Sequence, residues 1–225
     1  MPPNRVYRMT DFAAARQAMV DCQVRPSDVT RYAIIEAMLW APRELFVAKA
    51  RRDVAYAEAE VELAPGRVLL EPRTFAKMLE TANIGSQDLV LDLAPGTGYS
   101  TAVIARMAEA VIAIEPDAEL AGPAQALLDN LEVDNAVISQ GDPAAGDAAH
   151  GPYDVIFING AIETLPEALG AQLKAGGRLV ALFRQGGVGQ CCVLTRAGAG
   201  VSRRYVFDAD APLLAGFEKV TDFAF

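Results

Sequence analysis

The run Asp88-Leu-Val-Leu-Asp-Leu-Ala-Pro-Gly-Thr-Gly-Tyr99 carries an apolar segment straight into a glycine-containing loop, and Ser100-Thr-Ala-Val-Ile-Ala-Arg106 follows with the spacing of a helix. Glycines such as Gly96 and Gly98 let backbone approach a ligand where a Cβ would collide, and the first amides of the following helix face the same spot. A second apolar run, Ala110-Val-Ile-Ala-Ile114, closes on Glu115, a carboxylate able to accept hydrogen bonds from ribose hydroxyls at the tip of the next strand. Gly141-Asp142 and Pro152-Tyr-Asp-Val-Ile-Phe-Ile-Asn159 supply two more polar groups at the carboxyl ends of expected strands, where open α/β sheets bind ligands. Together these residues predict a nucleotide-cofactor site. The third glycine of a dinucleotide G-x-G-x-x-G loop is replaced by Thr101, and no histidine is placed to donate a proton, so a nicotinamide oxidoreductase is disfavoured.

Elements that could position such a site read clearly from the chain. Strands are expected at 89–93, 110–114, 135–139, 153–158 and 177–184, with helices at 99–108, 117–131 and 164–173 between them. That alternation predicts a doubly wound, mostly parallel sheet with helices on both faces. Before it, Thr10 to Cys22 has a capping residue and helical spacing, a second helix is expected from Ser27 to Leu39, and Arg43-Glu-Leu-Phe-Val47 begins a short third. From Val54 to Leu70 the pattern turns irregular, with a turn at Ala64-Pro-Gly-Arg67 before Val68-Leu-Leu70, and Pro72 opens another helix. Cys191–Thr195 and Ser202–Phe207 predict an antiparallel hairpin closing one edge. The expected organisation is one domain: a helical extension and substrate-side segment over 1–80, a cofactor-binding core over 81–185, and C-terminal strands over 186–225.

Composition narrows the classes. At 225 residues the chain is long enough for a full single core, and its 52% hydrophobic and 22% charged residues are ordinary for a soluble domain. A formal net charge of −9 argues against nucleic acid as a partner, since phosphate contacts need clustered Lys and Arg. There is no apolar run long enough to span a bilayer and no secretory core in Met1–Met9, so a cytoplasmic location without membrane contact is expected. Cys22, Cys191, Cys192 and His150 lack metal-ligand spacing, so no metal, disulfide or histidine-based triad is expected.

Across nearly its whole length the chain resembles the protein-L-isoaspartate O-methyltransferase family. The resemblance rests on Met19-Val-x-x-Gln23 with Arg25, Ile35-Glu-Ala-Met38, Ala41-Pro-Arg-Glu-Leu-Phe-Val47, Ala55-Tyr56, Val90-Leu-Asp-Leu-Ala-Pro-Gly-Thr-Gly-Tyr99, Gly141-Asp142, Pro152-Tyr-Asp154, Leu169-x-x-Gln-Leu-Lys-Ala-Gly-Gly-Arg-Leu-Val180 and Pro212-Leu213. It implies a class I, Rossmann-like methyltransferase fold, S-adenosyl-L-methionine as cofactor, and a protein or peptide acceptor carrying the carboxylate of a damaged aspartyl residue. By carry-over, the cofactor set comprises Asp92, Ala94, Gly96, Gly98, Tyr99, Glu115, Gly141, Asp142 and Asn159. Gly96 and Gly98 would approach the methionine portion, Glu115 the ribose and Asp142 the adenine amino group.

One departure bears on the acceptor. Where the family has Gly-Gln-Thr-Ile-Ser-x-Pro, with the serine assigned the active-site role, this chain has Gly66-Arg-Val-Leu-Leu-Glu-Pro72, so Leu70 stands at the serine position. Losing a hydroxyl that bonds a charged group weakens recognition by about 1.5–3 kcal/mol. Arg67 and Arg73 are the candidate replacement contacts for an acceptor carboxylate. The alternatives are a methyltransferase with a different acceptor, or a cofactor-binding pseudoenzyme or interaction protein on the same fold.

Overall fold

The computed structural model describes residues 11–198 and 200–219. The expected helix cap Thr10 lies outside them; Asp11 fills that role, its carboxylate accepting from the Ala14 amide at 3.0 Å. Helix α1 (Phe12–Met19) then relaxes into a π-helical turn over Val20–Val24 and a short 3-10 turn over Arg25–Ser27, rather than running as one regular helix to Cys22. Asp28 is left-handed (φ 63°), which delays α2 to Tyr32–Trp40. Short 3-10 turns at Arg43–Phe46 and Lys49–Val54 lead to a separate two-stranded hairpin of β1 (Val61–Ala64) and β2 (Arg67–Leu69), and α3 spans Pro72–Ala82.

The main sheet contains β3 (Leu89–Leu93), β4 (Ala110–Glu115), β5 (Ala136–Gln140), β6 (Tyr153–Ile162), β7 (Leu173–Gln185), β8 (Val188–Ala197) and β9 (Gly200–Asp208), in the order β5-β4-β3-β6-β7-β8-β9. The first five in that order pair in parallel, and β8 and β9 add antiparallel edge strands. Helices α4 (Tyr99–Ala105), α5 (Ala118–Asn130) and α6 (Glu167–Ala171) occupy the crossovers. The helix expected over 164–173 shrinks to α6 because Pro166 fixes its start and the chain returns to extended form at Leu173. Conversely β6 runs past 158 to Ile162, since Ala161 and Ile162 find partners in Leu182 and Phe183 after an irregularity. The Pro212-Leu213 segment docks there too, with the Ala161 amide donating to the Pro212 carbonyl at 3.0 Å.

Side chains alternate between two cores. Val90, Val111, Ala113, Val155 and Phe157 face the cluster formed with α1 to α5. Leu91, Leu93, Ile114, Ile156 and Ile158 face a smaller cluster closed by Leu169 of α6 with Leu214 and Phe217. Among the described residues no helix is long and apolar enough to cross a membrane. The chain runs β3 to β4 to β5 in one direction and returns to β6 on the other side of β3, so strand order reverses at the β3–β6 boundary. Sheets of this kind bind ligands at that boundary, beyond the strands' carboxyl ends.

Candidate functional site

Asp92 is the organising residue of that rim. It lies on β3 facing the α4 side and is fully buried. One carboxylate oxygen accepts from Ser100 Oγ at 2.8 Å and Thr101 Oγ1 at 2.7 Å, and the other from Asn159 Nδ2 at 2.6 Å. These bonds tie the start of α4 to the ends of β3 and β6. Burial raises the Asp92 carboxyl to about 6, against the pull of those three donors. The threonine that replaces a third loop glycine therefore has a use: its hydroxyl helps hold Asp92. Asn159 also donates to the Leu93 carbonyl at 3.1 Å, so its amide fixes loop geometry.

The loop between β3 and α4 turns sharply. Ala94 adopts φ +58° and Gly96 φ +63°, with the Ala94 amide bonded to the Ile114 carbonyl at 2.8 Å. This brings the Gly96 amide onto Glu115 Oε2 at 2.7 Å. Gly98 serves packing: a Cβ there would lie 3.0 Å from Ile138 Cδ1 and 3.4 Å from Ala124 Cβ, in the seam against β5 and α5. Gly141 donates its amide to the Glu115 carbonyl at 3.1 Å, and exposed Asp142 turns its carboxylate onto the Ala144 amide at 2.9 Å.

Glu115 itself is fully buried and fully engaged. Its Oε1 accepts from Arg67 Nη1 at 2.6 Å and from the Asp117 amide at 3.1 Å; its Oε2 accepts from Arg67 Nη2 at 2.8 Å and from Gly96. Arg67 Nη2 also donates to the Ala94 carbonyl at 2.9 Å. The two-pronged guanidinium comes from the β1–β2 hairpin, which lies over the loop. Leu63 of the same hairpin covers Gly96, where an added Cβ would meet Leu63 Cδ1 at 2.7 Å. Arg67, considered as a contact for an acceptor carboxylate, thus reaches a carboxylate of its own chain. Arg73 stands exposed on the first turn of α3.

Tyr99 and Leu70 belong to a neighbouring apolar wall. Tyr99 is 1% exposed and packs against Phe46 and Phe75, each with ring centroids 5.4 Å away. Leu70 is 3% exposed. Between them lies Arg43, part of the Ala41–Val47 run but assigned no role from the sequence. Its guanidinium is buried, sits 4.9 Å from the Tyr99 ring centre, and donates to the Ala55 and Leu70 carbonyls at 2.6 Å each. Burial lowers its pKa. Among the described residues its Nη1 and the Tyr99 hydroxyl find no partner with hydrogen-bond geometry, although the two groups interact electrostatically. Both residues border a cavity of about 10 Å³ with Leu70, Ser100 and Asn159, at the lower limit for one water molecule. The local signal for Arg43 was a charged pair, Arg43-Glu44, inside the otherwise apolar Leu39–Val47 stretch.

The site therefore pairs a rigid, hydrogen-bonded loop with a carboxylate at the adjacent strand tip, the arrangement that holds a vicinal diol. A guanidinium with two parallel N–H donors matches that carboxylate in the same way. A strand-tip carboxylate of this kind is chemically suited to a ribose diol, and in this structure both of its oxygens accept from Arg67.

Residues 14–203 match the family described as protein-L-isoaspartate(D-aspartate) O-methyltransferase. A protein-L-isoaspartate O-methyltransferase of Koribacter versatilis is 37% identical over 172 residues, covering 76% of this chain and 78% of that protein. One from Methylorubrum extorquens is 36% identical over 216 residues, covering 95% and 94%. Among solved structures, a protein-L-isoaspartate O-methyltransferase superposes with a TM-score of 0.80 at 22% identity, over 89% of this chain and 66% of that one. A Plasmodium falciparum β-aspartate methyltransferase in complex with S-adenosyl-L-homocysteine gives 0.75 at 17%, over 92% and 99%.

Proposed function

The chain belongs to the protein-L-isoaspartate(D-aspartate) O-methyltransferase family, with the fold of class I S-adenosylmethionine-dependent methyltransferases, and from that premise we propose that it methylates the carboxylate of an altered aspartyl residue in a protein or peptide. The observation that carries this reading is the retained strand-tip carboxylate: Glu115, buried, oriented by the Gly96 and Asp117 amides, and presenting both oxygens to a paired donor. S-Adenosylmethionine, when bound, supplies an electrophilic methyl group on a sulfonium.

The demands on the chain's own residues are modest. An acceptor carboxylate is already ionised near neutral pH, so no general base is needed, and alignment with exclusion of water does the work. Asp92 holds the loop through Ser100, Thr101 and Asn159. With Arg67 and Leu63 displaced, Glu115 would hold the ribose diol, the Gly96 backbone would lie beside the cofactor, and exposed Asp142 would meet the adenine amino group. Leu70 offers the acceptor no hydrogen bond, so selection of the damaged carboxylate falls to shape and to backbone groups near the Arg43 wall.

Transfer of labelled methyl from S-adenosylmethionine to an isoaspartyl peptide, with the normal aspartyl peptide as control, tests the reading. Selective label on the isoaspartyl peptide supports it; equal label on both points to a different acceptor.

A further inference from the structure

Among the described residues the β1–β2 hairpin pairs only with itself, its strands are four and three residues long, and it forms a sheet separate from the seven-stranded one. A two-stranded hairpin of that size has little stability of its own. Its attachment over the cofactor loop includes Leu63 over Gly96 and the three hydrogen bonds from Arg67 to Glu115 and Ala94. The turn at Pro65 and Gly66 is exposed, whereas Val61 and Leu69 at the base are buried in the main core, so the part free to swing outward is the tip that carries Leu63 and Arg67.

We propose that this hairpin is a latch in which Arg67 occupies the cofactor's own anchor, taking the place of the ribose diol on Glu115, so that S-adenosylmethionine binds only when the guanidinium leaves. The inference rests on the cofactor reading above. It follows from donor arithmetic: Glu115 has two oxygens, and each already accepts two hydrogen bonds, one from Arg67 and one from backbone. A diol on the same carboxylate displaces the arginine rather than joining it. Leu63 moves with it, because a group placed above Gly96 meets the Leu63 methyl. The apparent affinity for cofactor is then the intrinsic affinity scaled by the fraction of molecules with the latch open.

Calorimetric titration with S-adenosyl-L-homocysteine, on the full chain and on Arg67→Gln and Arg67→Lys, tests the latch without relying on catalysis. Glutamine removes the two-pronged ion pair and should tighten binding about tenfold to hundredfold, the range set by losing charge-assisted bonds to a buried partner. Lysine keeps a single charged contact and should fall between, and it is the variant to rely on if Arg67→Gln melts below the assay temperature. Hydrogen exchange supplies the second readout: amides of residues 61–69 in the parent should exchange faster when the ligand is bound. Equal affinity for parent and both variants, with unchanged exchange, overturns the latch while leaving the cofactor reading intact. No binding by any of the three at millimolar ligand overturns the cofactor reading, and the latch falls with it.

Discussion

Arg67 and Glu115 lie 48 residues apart in sequence and meet through two parallel hydrogen bonds of 2.6 and 2.8 Å, with the carboxylate wholly buried and the guanidinium side chain 14% exposed. The pair joins the β1–β2 hairpin to the carboxylate at the tip of β4. On the latch proposal, stability and cofactor affinity are linked through this one guanidinium.

Removing the cation should cost stability even where it helps binding. Arg67→Met leaves Glu115 with only the Gly96 and Asp117 amides in a buried setting, and breaking a buried pair from one side costs about 3–5 kcal/mol. Denaturant unfolding should show that loss, and saturating S-adenosyl-L-homocysteine should recover part of it by mass action.

Restoring the hydroxyl at position 70 should trade stability for activity. Leu70 is almost fully buried beside Arg43, so Leu70→Ser should destabilise by about 2–4 kcal/mol through lost apolar contacts. The same change should raise isoaspartyl methylation tenfold or more, in line with one hydrogen bond to a charged group. Paired melting and initial-rate measurements separate the two effects.

Asp92 should leave a mark on stability against pH. Its carboxyl is raised from 3.8 to about 6 in the folded state, so the folded protein holds a proton there that the unfolded chain has released. Its contribution is fully present below about pH 4 and is lost as pH rises through about 6, a change on the order of 3 kcal/mol for two pKa units. Asp92→Asn should flatten that part of the curve, since the amide stays neutral while the Ser100 and Thr101 hydroxyls rotate to accept from it. Parallel curves for parent and variant would show that Asp92 does not titrate in this range.

Two glycines separate backbone strain from steric contact. Gly66 (φ +71°) has open space where a Cβ would go, whereas Gly96 (φ +63°) has Leu63 at 2.7 Å. Gly66→Ala should cost about 1 kcal/mol from its left-handed backbone alone. Gly96→Ala should cost more, and Gly96→Ala combined with Leu63→Ala should narrow the gap in thermal unfolding.

The sheet was largely legible because its strands are apolar runs bounded by glycine loops, and the glycine loop, Glu115 and Asp142 announced themselves by position after those runs. What escaped was non-local or short. The strands of the 61–69 hairpin are too brief for a period to show, so that stretch read as irregular with a turn. Nothing near Arg67 in the chain indicates that its partner is Glu115. Arg43 stood in the Ala41–Val47 run that carries the resemblance, but its buried position could not be foreseen, because it depends on accepting carbonyls at Ala55 and Leu70 that only the fold assembles. The packing of Tyr99 in the aromatic wall with Phe46 and Phe75 was not foreseen either, since residue spacing alone does not say which way a side chain at a helix start points.

The most direct test is labelled methyl transfer from S-adenosylmethionine to matched isoaspartyl and aspartyl peptides, run with the parent chain and with Arg67→Gln. The account predicts label on the isoaspartyl peptide alone, reached at lower cofactor concentration by the variant. Absence of label on either peptide with both proteins, at saturating cofactor, would contradict it.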